Sequence, residues 1–139
     1  LPATPTQFSV TEFDNTAYTP LAFNDNVTDI KNKINAASSG GATNWEDGLL
    51  KAESTFDPRE DHPNLVIFAS DGNPNRKGNN VSVSEAEAVN AAMVVANSLK
   101  TSGTKIIALG IGNAVRRQTF HFRRQFVPDR CVNAFNAEI

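Results

Sequence analysis

The sequence predicts an α/β fold: an open, mostly parallel sheet flanked by helices, with one antiparallel hairpin at its edge. Three observations carry that expectation. Leu65 to Ala69 and Lys105 to Ile111 are apolar runs of strand length without polar alternation, as in parallel strands covered on both faces. Between them, Ser84 to Leu99 repeats apolar residues at helical spacing, which makes strand, helix, strand, a crossover that is right-handed in nearly every known case. Upstream, two short strand patterns are separated by Asp14-Asn15-Thr16, good turn chemistry for a hairpin.

Each element has its own reason. Phe8 to Phe13 alternates apolar and polar residues as a half-buried strand does, and Ala17 to Phe23 is its partner. Asn24 or Asp25 is the expected cap of a helix with Val27, Ile30, Ile34 and Ala37 on one face. Ser38-Ser39-Gly40-Gly41 stops that helix, since glycine tolerates the left-handed conformation found there. Asn44 caps the next helix, Asp47 adds charge at its positive end, and Trp45, Leu49, Ala52 and Phe56 line its buried side. Asp57 to Asn64 is a polar loop with two prolines. Ser84 with Glu87 forms a capping box, and Val89, Ala92, Met93, Ala96 and Leu99 face inward until Gly103 closes the helix.

Length and composition bound the function. At 139 residues the chain is one domain with room for a core, and 40% hydrophobic with 20% charged residues is ordinary for a globular protein. No apolar run approaches the ~20 residues of a membrane span. The start LPATPTQFSV has neither an initiator methionine nor a signal-peptide pattern, and reads as a processed or partial product. The single cysteine, Cys131, excludes an internal disulfide and a cysteine-based zinc site. The net charge of −2 divides unevenly: residues 1–114 hold eight Lys/Arg against thirteen Asp/Glu, and residues 115–139 hold five Arg against two acids. The basic end reads as a solvated tail, or a face packing on the acidic body, and nothing else supports nucleic-acid binding.

Two residues carry candidate chemistry. Open sheets of this kind bind ligands beyond the carboxyl ends of their strands, and Asp71 follows a strand there. Thr43 follows Gly40-Gly41 and precedes Asn44, a better cap, so its hydroxyl is free to point elsewhere. A hydroxyl and a carboxylate at the ends of neighbouring elements are two pieces of a hard-cation site. Each also has a structural reading, Asp71-Gly72 as a simple turn and Thr43 as a local cap.

The order FSVTEFDNTAYTPLAF, helix, GGATNWEDGLLKA, NLVIFASDGNPN, helix, KIIALGIG over residues 7–113 resembles a von Willebrand factor type A domain. The resemblance implies a Rossmann-like sheet and a non-enzymatic protein–protein or adhesion module, extracellular or at the cell surface. It also implies a metal-ion-dependent adhesion site for Mg²⁺ (or Mn²⁺/Ca²⁺), completed by an acidic side chain of a protein ligand. By position Thr43 and Asp71 match two of that site's contributions. The third, a D-x-S-x-S loop at the end of the family's first central strand, occurs nowhere in this sequence. The expected domain is therefore a partial one over residues 1–114, followed by a divergent basic tail over 115–139, with the central strand missing.

Loss of a central strand is costly, because each unpaired buried backbone group costs about 1–3 kcal/mol. Either the neighbouring strands close up, another segment fills the gap, or a partner chain supplies the strand. Thr119 to Val127 has strand-like composition. The alternative function is a nucleotide- or phosphate-binding α/β enzyme using the loops at Asp71 and Gly110 to Gly112, although a third glycine is absent. His62 and His121 have no partner at metal spacing, and Ser70 has no nucleophile elbow. Asn26-Val27-Thr28 and Asn80-Val81-Ser82 match the glycosylation sequon, a match expected by chance in an Asn-rich chain.

Overall fold

In a computed structural model, the structure describes residues 6–56 and 63–111. The hairpin forms as expected: β1 (Phe8–Phe13) pairs antiparallel with β2 (Ala17–Asn24), with register shifts between Phe8 and Val10 and between Val10 and Glu12. Bulges of this kind bend and twist a strand. The turn closes through Asp14, whose backbone N–H donates to Thr16 O at 3.0 Å and whose carboxylate accepts from Thr16 N at 3.1 Å.

Helix α1 (Val27–Ala36) starts one residue later than the sequence implied. Asn26 is the cap, accepting from the backbone of Thr28 and Asp29, while Asn24 Oδ1 accepts from Asn26 N at 2.7 Å. Asn24 builds the turn that presents the cap, so Asn24 and Asn26 act in series. No residue of α1 is buried, and Val27 and Ile34 lie 59% and 58% exposed. The apolar face read from the sequence exists, and little packs on it.

Helix α2 (Trp45–Glu53) is capped by Asn44, whose side chain accepts from Asp47 N at 3.2 Å. Strand β3 (Leu65–Ser70) then pairs in parallel with β6 (Lys105–Gly110), and α3 (Glu85–Thr101) crosses between them behind the expected Ser84–Glu87 capping box. A small hairpin that the sequence gave no cause to expect, β4 (Arg76–Lys77) with β5 (Val81–Ser82), sits between β3 and α3. Its turn uses left-handed Gly78 (φ 50°) and Asn80 (φ 62°), the two residue types that tolerate this conformation best.

The core lies on one side of the parallel pair. Trp45 and Leu49 of α2, Val66 and Phe68 of β3, and Ala92, Val95, Ala96 and Leu99 of α3 form one buried cluster. Alanines at 88, 92 and 96 are completely buried, and their small side chains let α3 lie close on its neighbours. Trp45 meets Phe68 edge-on at 5.6 Å, and Phe13 of β1 stacks on Phe68 at 5.2 Å, geometries that suit the ring quadrupole.

One expectation is corrected here. β3 was read as covered on both faces, but Leu65 and Ile67 are 53% and 57% exposed, as is Ile107 of β6 at 48%. Among the described residues no layer covers this second face. Among the described residues the hairpin and the parallel pair are separate ladders, and β1 and β3 each pair with one strand. The fold over the described residues is α/β, with a parallel pair and a separate antiparallel hairpin.

β1 and β3 run in one direction. The first residue of α2, Trp45, donates through Nε1 to Ser70 Oγ at the end of β3, at 3.0 Å. Gly48 of α2 lies under Phe13 at the end of β1, and Ser9 near its start bonds Thr55, just past the other end of α2, at 3.2 Å. Both strands are thus antiparallel to α2 and parallel to each other.

Candidate functional site

The carboxyl ends of β1 and β3 bring three loops together, and short polar side chains bind them into one edge. The loop before α2 is tied to the first hairpin by Ala42 N donating to Asn15 Oδ1 at 2.6 Å and by Asn44 Nδ2 donating to Asn15 O at 3.1 Å. It is tied to the loop after β3 by a reciprocal pair: Thr43 N donates to Asn75 Oδ1 at 3.0 Å, and Asn75 N donates to Thr43 O at 3.0 Å. Asn44 Nδ2 also donates to Gly78 O at 3.0 Å. Asn44 is entirely buried, and with every one of these polar atoms paired the burial carries no desolvation penalty.

Gly41 is required at this junction. It has φ +69°, and a β-carbon there would lie 3.0 Å from Asn15 Oδ1 and 3.3 Å from Asp14 Oδ2. Only glycine both adopts the conformation freely and admits so close an approach.

Thr43 and Asp71 fall at the same edge. Thr43 is half-buried with its hydroxyl turned toward the Asp71-Gly72 turn, since a β-carbon on Gly72 would lie 3.3 Å from Thr43 Oγ1. Asp71 is exposed. The turn that carries it is fixed by Ser70, which is buried, accepts from Trp45 Nε1, and donates to Gly72 O at 2.9 Å. The Ser70 hydroxyl is therefore spent on holding the turn. Two nearby carboxylates are similarly engaged: Asp47 Oδ2 accepts from Ala17 N at 2.6 Å, and Glu46 Oε2 accepts from Gly78 N at 2.7 Å.

Sequence reading missed the residues that position this edge: Asn15, Asn75, Glu46 and Asp47 acting across loops. Their partners lie about thirty residues away along the chain, and local pattern carries no signal for such pairs. Gly110 ends β6 opposite Ser70, while Gly112, His62, His121 and Cys131 lie outside the described residues.

A family model, the von Willebrand factor type A domain, matches residues 3–122. The chain belongs to this family. No curated protein matches the chain. Type A domains are generally non-enzymatic protein-interaction modules of α/β architecture, and many bind a divalent cation.

The donor set here can be tested against such a cation. Mg²⁺ takes six oxygens in near-ideal octahedral geometry and gives up its waters reluctantly. This type A chain offers one hydroxyl and one exposed carboxylate, and among the described residues no three His, Cys, Asp or Glu side chains converge. Asn75 Oδ1 accepts from Thr43 N, so that oxygen braces the loop. These residues by themselves do not fit a resident cation.

Proposed function

We propose that this type A domain is a protein–protein or adhesion module whose cation-dependent mode is reduced to two contributions, the Thr43 hydroxyl and the Asp71 carboxylate. One observation carries the reading. Thr43 is turned toward the Gly72 turn and is braced by a reciprocal pair with Asn75, so the edge keeps its shape without a cation to organise it. Where a cation is engaged, the class is Mg²⁺, Mn²⁺ or Ca²⁺, and the rest of its oxygens come from water and from an acidic side chain of a protein ligand.

The setting that accords with this role is extracellular or at a cell surface, within a larger protein. Among the described residues no helix is long and apolar enough to cross a membrane. Residues 1–114 form the type A unit in this reading, with residues 115–139 as a distinct basic extension.

Calorimetric titration with Mg²⁺ and with Mn²⁺, on wild type and Asp71→Ala, tests the proposal. The expected result is binding no tighter than about millimolar, worth about 4 kcal/mol or less. Micromolar binding abolished by Asp71→Ala would mean that the chain carries a complete site and that the reduced mode is wrong.

A further inference from the structure

The sequence holds Asp-Gly twice, at Asp47-Gly48 and at Asp71-Gly72. An aspartate followed by glycine is the aspartate most open to rearrangement through its own backbone. Glycine has no β-carbon to shield its nitrogen or to restrict its dihedral angles, so that nitrogen can reach the carboxyl carbon of the residue before it. The structure treats the two copies in opposite ways.

Asp47-Gly48 is locked. Both residues lie in α2, and Gly48 is buried. Gly48 N donates to Asn44 O at 3.2 Å, so helical geometry points it along the axis and away from the Asp47 side chain. The Asp47 carboxylate is held elsewhere, accepting from Ala17 N at 2.6 Å. Bringing Gly48 N onto the carboxyl carbon breaks both bonds.

Asp71-Gly72 is open. It follows β3 in a bend outside any helix or ladder, with Asp71 exposed. Among the described residues the Asp71 carboxylate has no hydrogen-bond partner. Gly72 N lies 3.4 Å from Ser70 Oγ, longer than the roughly 2.7–3.2 Å of a good bond. The stronger bond, from Ser70 Oγ to Gly72 O at 2.9 Å, holds the carbonyl and leaves the nitrogen.

We propose that Asp71 is a site of isoaspartate formation in the folded protein, and that Asp47 is spared. In the first step Gly72 N bonds to Asp71 Cγ. The carboxyl hydroxyl leaves with the Gly72 amide proton as water, which closes a succinimide ring. In the second step water adds to one of the two ring carbonyls. Addition at Cγ restores aspartate. Addition at the backbone carbonyl carbon leaves the chain running through Cβ and Cγ, with a carboxylate on Cα. Nothing is oxidised or reduced, and water is the only co-reactant.

The product has an extra methylene in the main chain between Ser70 and Gly72. The Ser70–Gly72 bond no longer spans the same turn, and the carboxylate leaves its place at the edge shared with Thr43. Isomerisation therefore removes the acidic contribution of Asp71 without changing the mass. No step involves a cation, so the inference does not depend on the cation reading.

The test is to keep the folded chain warm at neutral pH in water enriched in heavy oxygen, then digest it with trypsin. The two sites fall on separate peptides, residues 34–51 and 60–76. Isoaspartate is read by methyl transfer from S-adenosylmethionine with a protein isoaspartyl methyltransferase, and heavy oxygen by mass spectrometry. Conversion at Asp71 is expected to be at least about tenfold faster than at Asp47, a barrier difference of about 1.4 kcal/mol. In guanidinium, where α2 is lost, Asp47 is expected to convert as well. Gly72→Ala is expected to slow conversion at Asp71 severalfold, since a β-carbon hinders the nitrogen. Gly72 is not among the glycines with positive φ, and the new β-carbon would lie 3.3 Å from Thr43 Oγ1. Asp71→Glu, which leaves glycine in place, is expected to abolish the isomer because its longer side chain closes a less favourable ring.

An Asp71 that stays unconverted in the folded chain while converting in guanidinium would show that the turn protects it, and would overturn the proposal. Equal rates at Asp71 and Asp47 in the folded chain would overturn it too, since the reaction would then run through unfolded molecules. So would an Asp47 that resists conversion in guanidinium, or a rate at Asp71 unchanged by Gly72→Ala.

Discussion

Gly48 shows how tightly single residues set this molecule. It sits inside a helix, where alanine is ordinarily better by about 1 kcal/mol. A β-carbon at Gly48 would lie 2.8 Å from Cδ1 and 2.9 Å from Cγ of Phe13, so the ring would have to leave its stack on Phe68. Overpacking of that kind costs about 1–3 kcal/mol, more than the helix gains. Gly48→Ala is expected to lower stability in urea denaturation and to shift the near-ultraviolet aromatic signal. A stabilised variant would show that Phe13 moves without penalty. At the same scale, Ser70 and Trp45 turn an apolar core contact into a fixed position for Asp71. Asp71→Ala is expected to leave stability within about 0.5 kcal/mol, as for an exposed side chain, so the cation titration reads the site rather than the fold.

Among the elements, the capping box of α3 gives a pH-dependent prediction. Bonds from the Ser84 hydroxyl and backbone, with Lys77 3.8 Å away, hold the Glu87 carboxyl below its ordinary value of 4.5. A carboxyl whose folded value is depressed contributes stability above its unfolded value and loses it as pH falls through the folded one. The difference in melting temperature between wild type and Glu87→Gln is therefore expected to be full at neutral pH and to close below pH 4.5. A difference unchanged at lower pH would show that Glu87 acts through packing alone. Helix α1 makes the opposite case. It is well capped but buries no residue, and helices of this length depend on tertiary packing. Its amides are expected to exchange much faster than those of α3, and equal protection would show that α1 is held by contacts beyond those described.

These elements also show what the sequence made legible. The caps at Asn44 and Ser84 could be read because their donors lie within three residues along the chain. The expected cap was Asn24 or Asp25 and the cap is Asn26, because all three are good capping residues and only geometry orders them. The small hairpin at Arg76–Ser82 was invisible because two-residue strands have no periodicity. The exposed face of β3 was misread for a different reason. An apolar run without alternation states what a strand could bury, and what covers it is settled elsewhere in the chain.

At the scale of the whole molecule, the type A architecture stands with its sheet in two parts. The chain's own packing joins them through α2, which touches both ladders, and through the Phe13–Phe68 stack. Among the described residues no strand ladder joins them, and loop hydrogen bonds such as Ala42 N to Asn15 Oδ1 and Thr43 N to Asn75 Oδ1 link them through the segment before α2.

By itself the sequence determined the order of the main elements, the family, and the placing of Thr43 and Asp71 at strand and helix ends, because those depend on local spacing and turn chemistry. It also determined that no D-x-S-x-S accompanies them. Only the tertiary structure decided that, among the described residues, β1 and β3 run parallel in separate ladders. It likewise decided that Asn15, Asn75, Glu46 and Asp47 lock three loops into one edge. Those outcomes rest on contacts between residues far apart along the chain, where the energy of a pairing depends on everything else that competes for the same space.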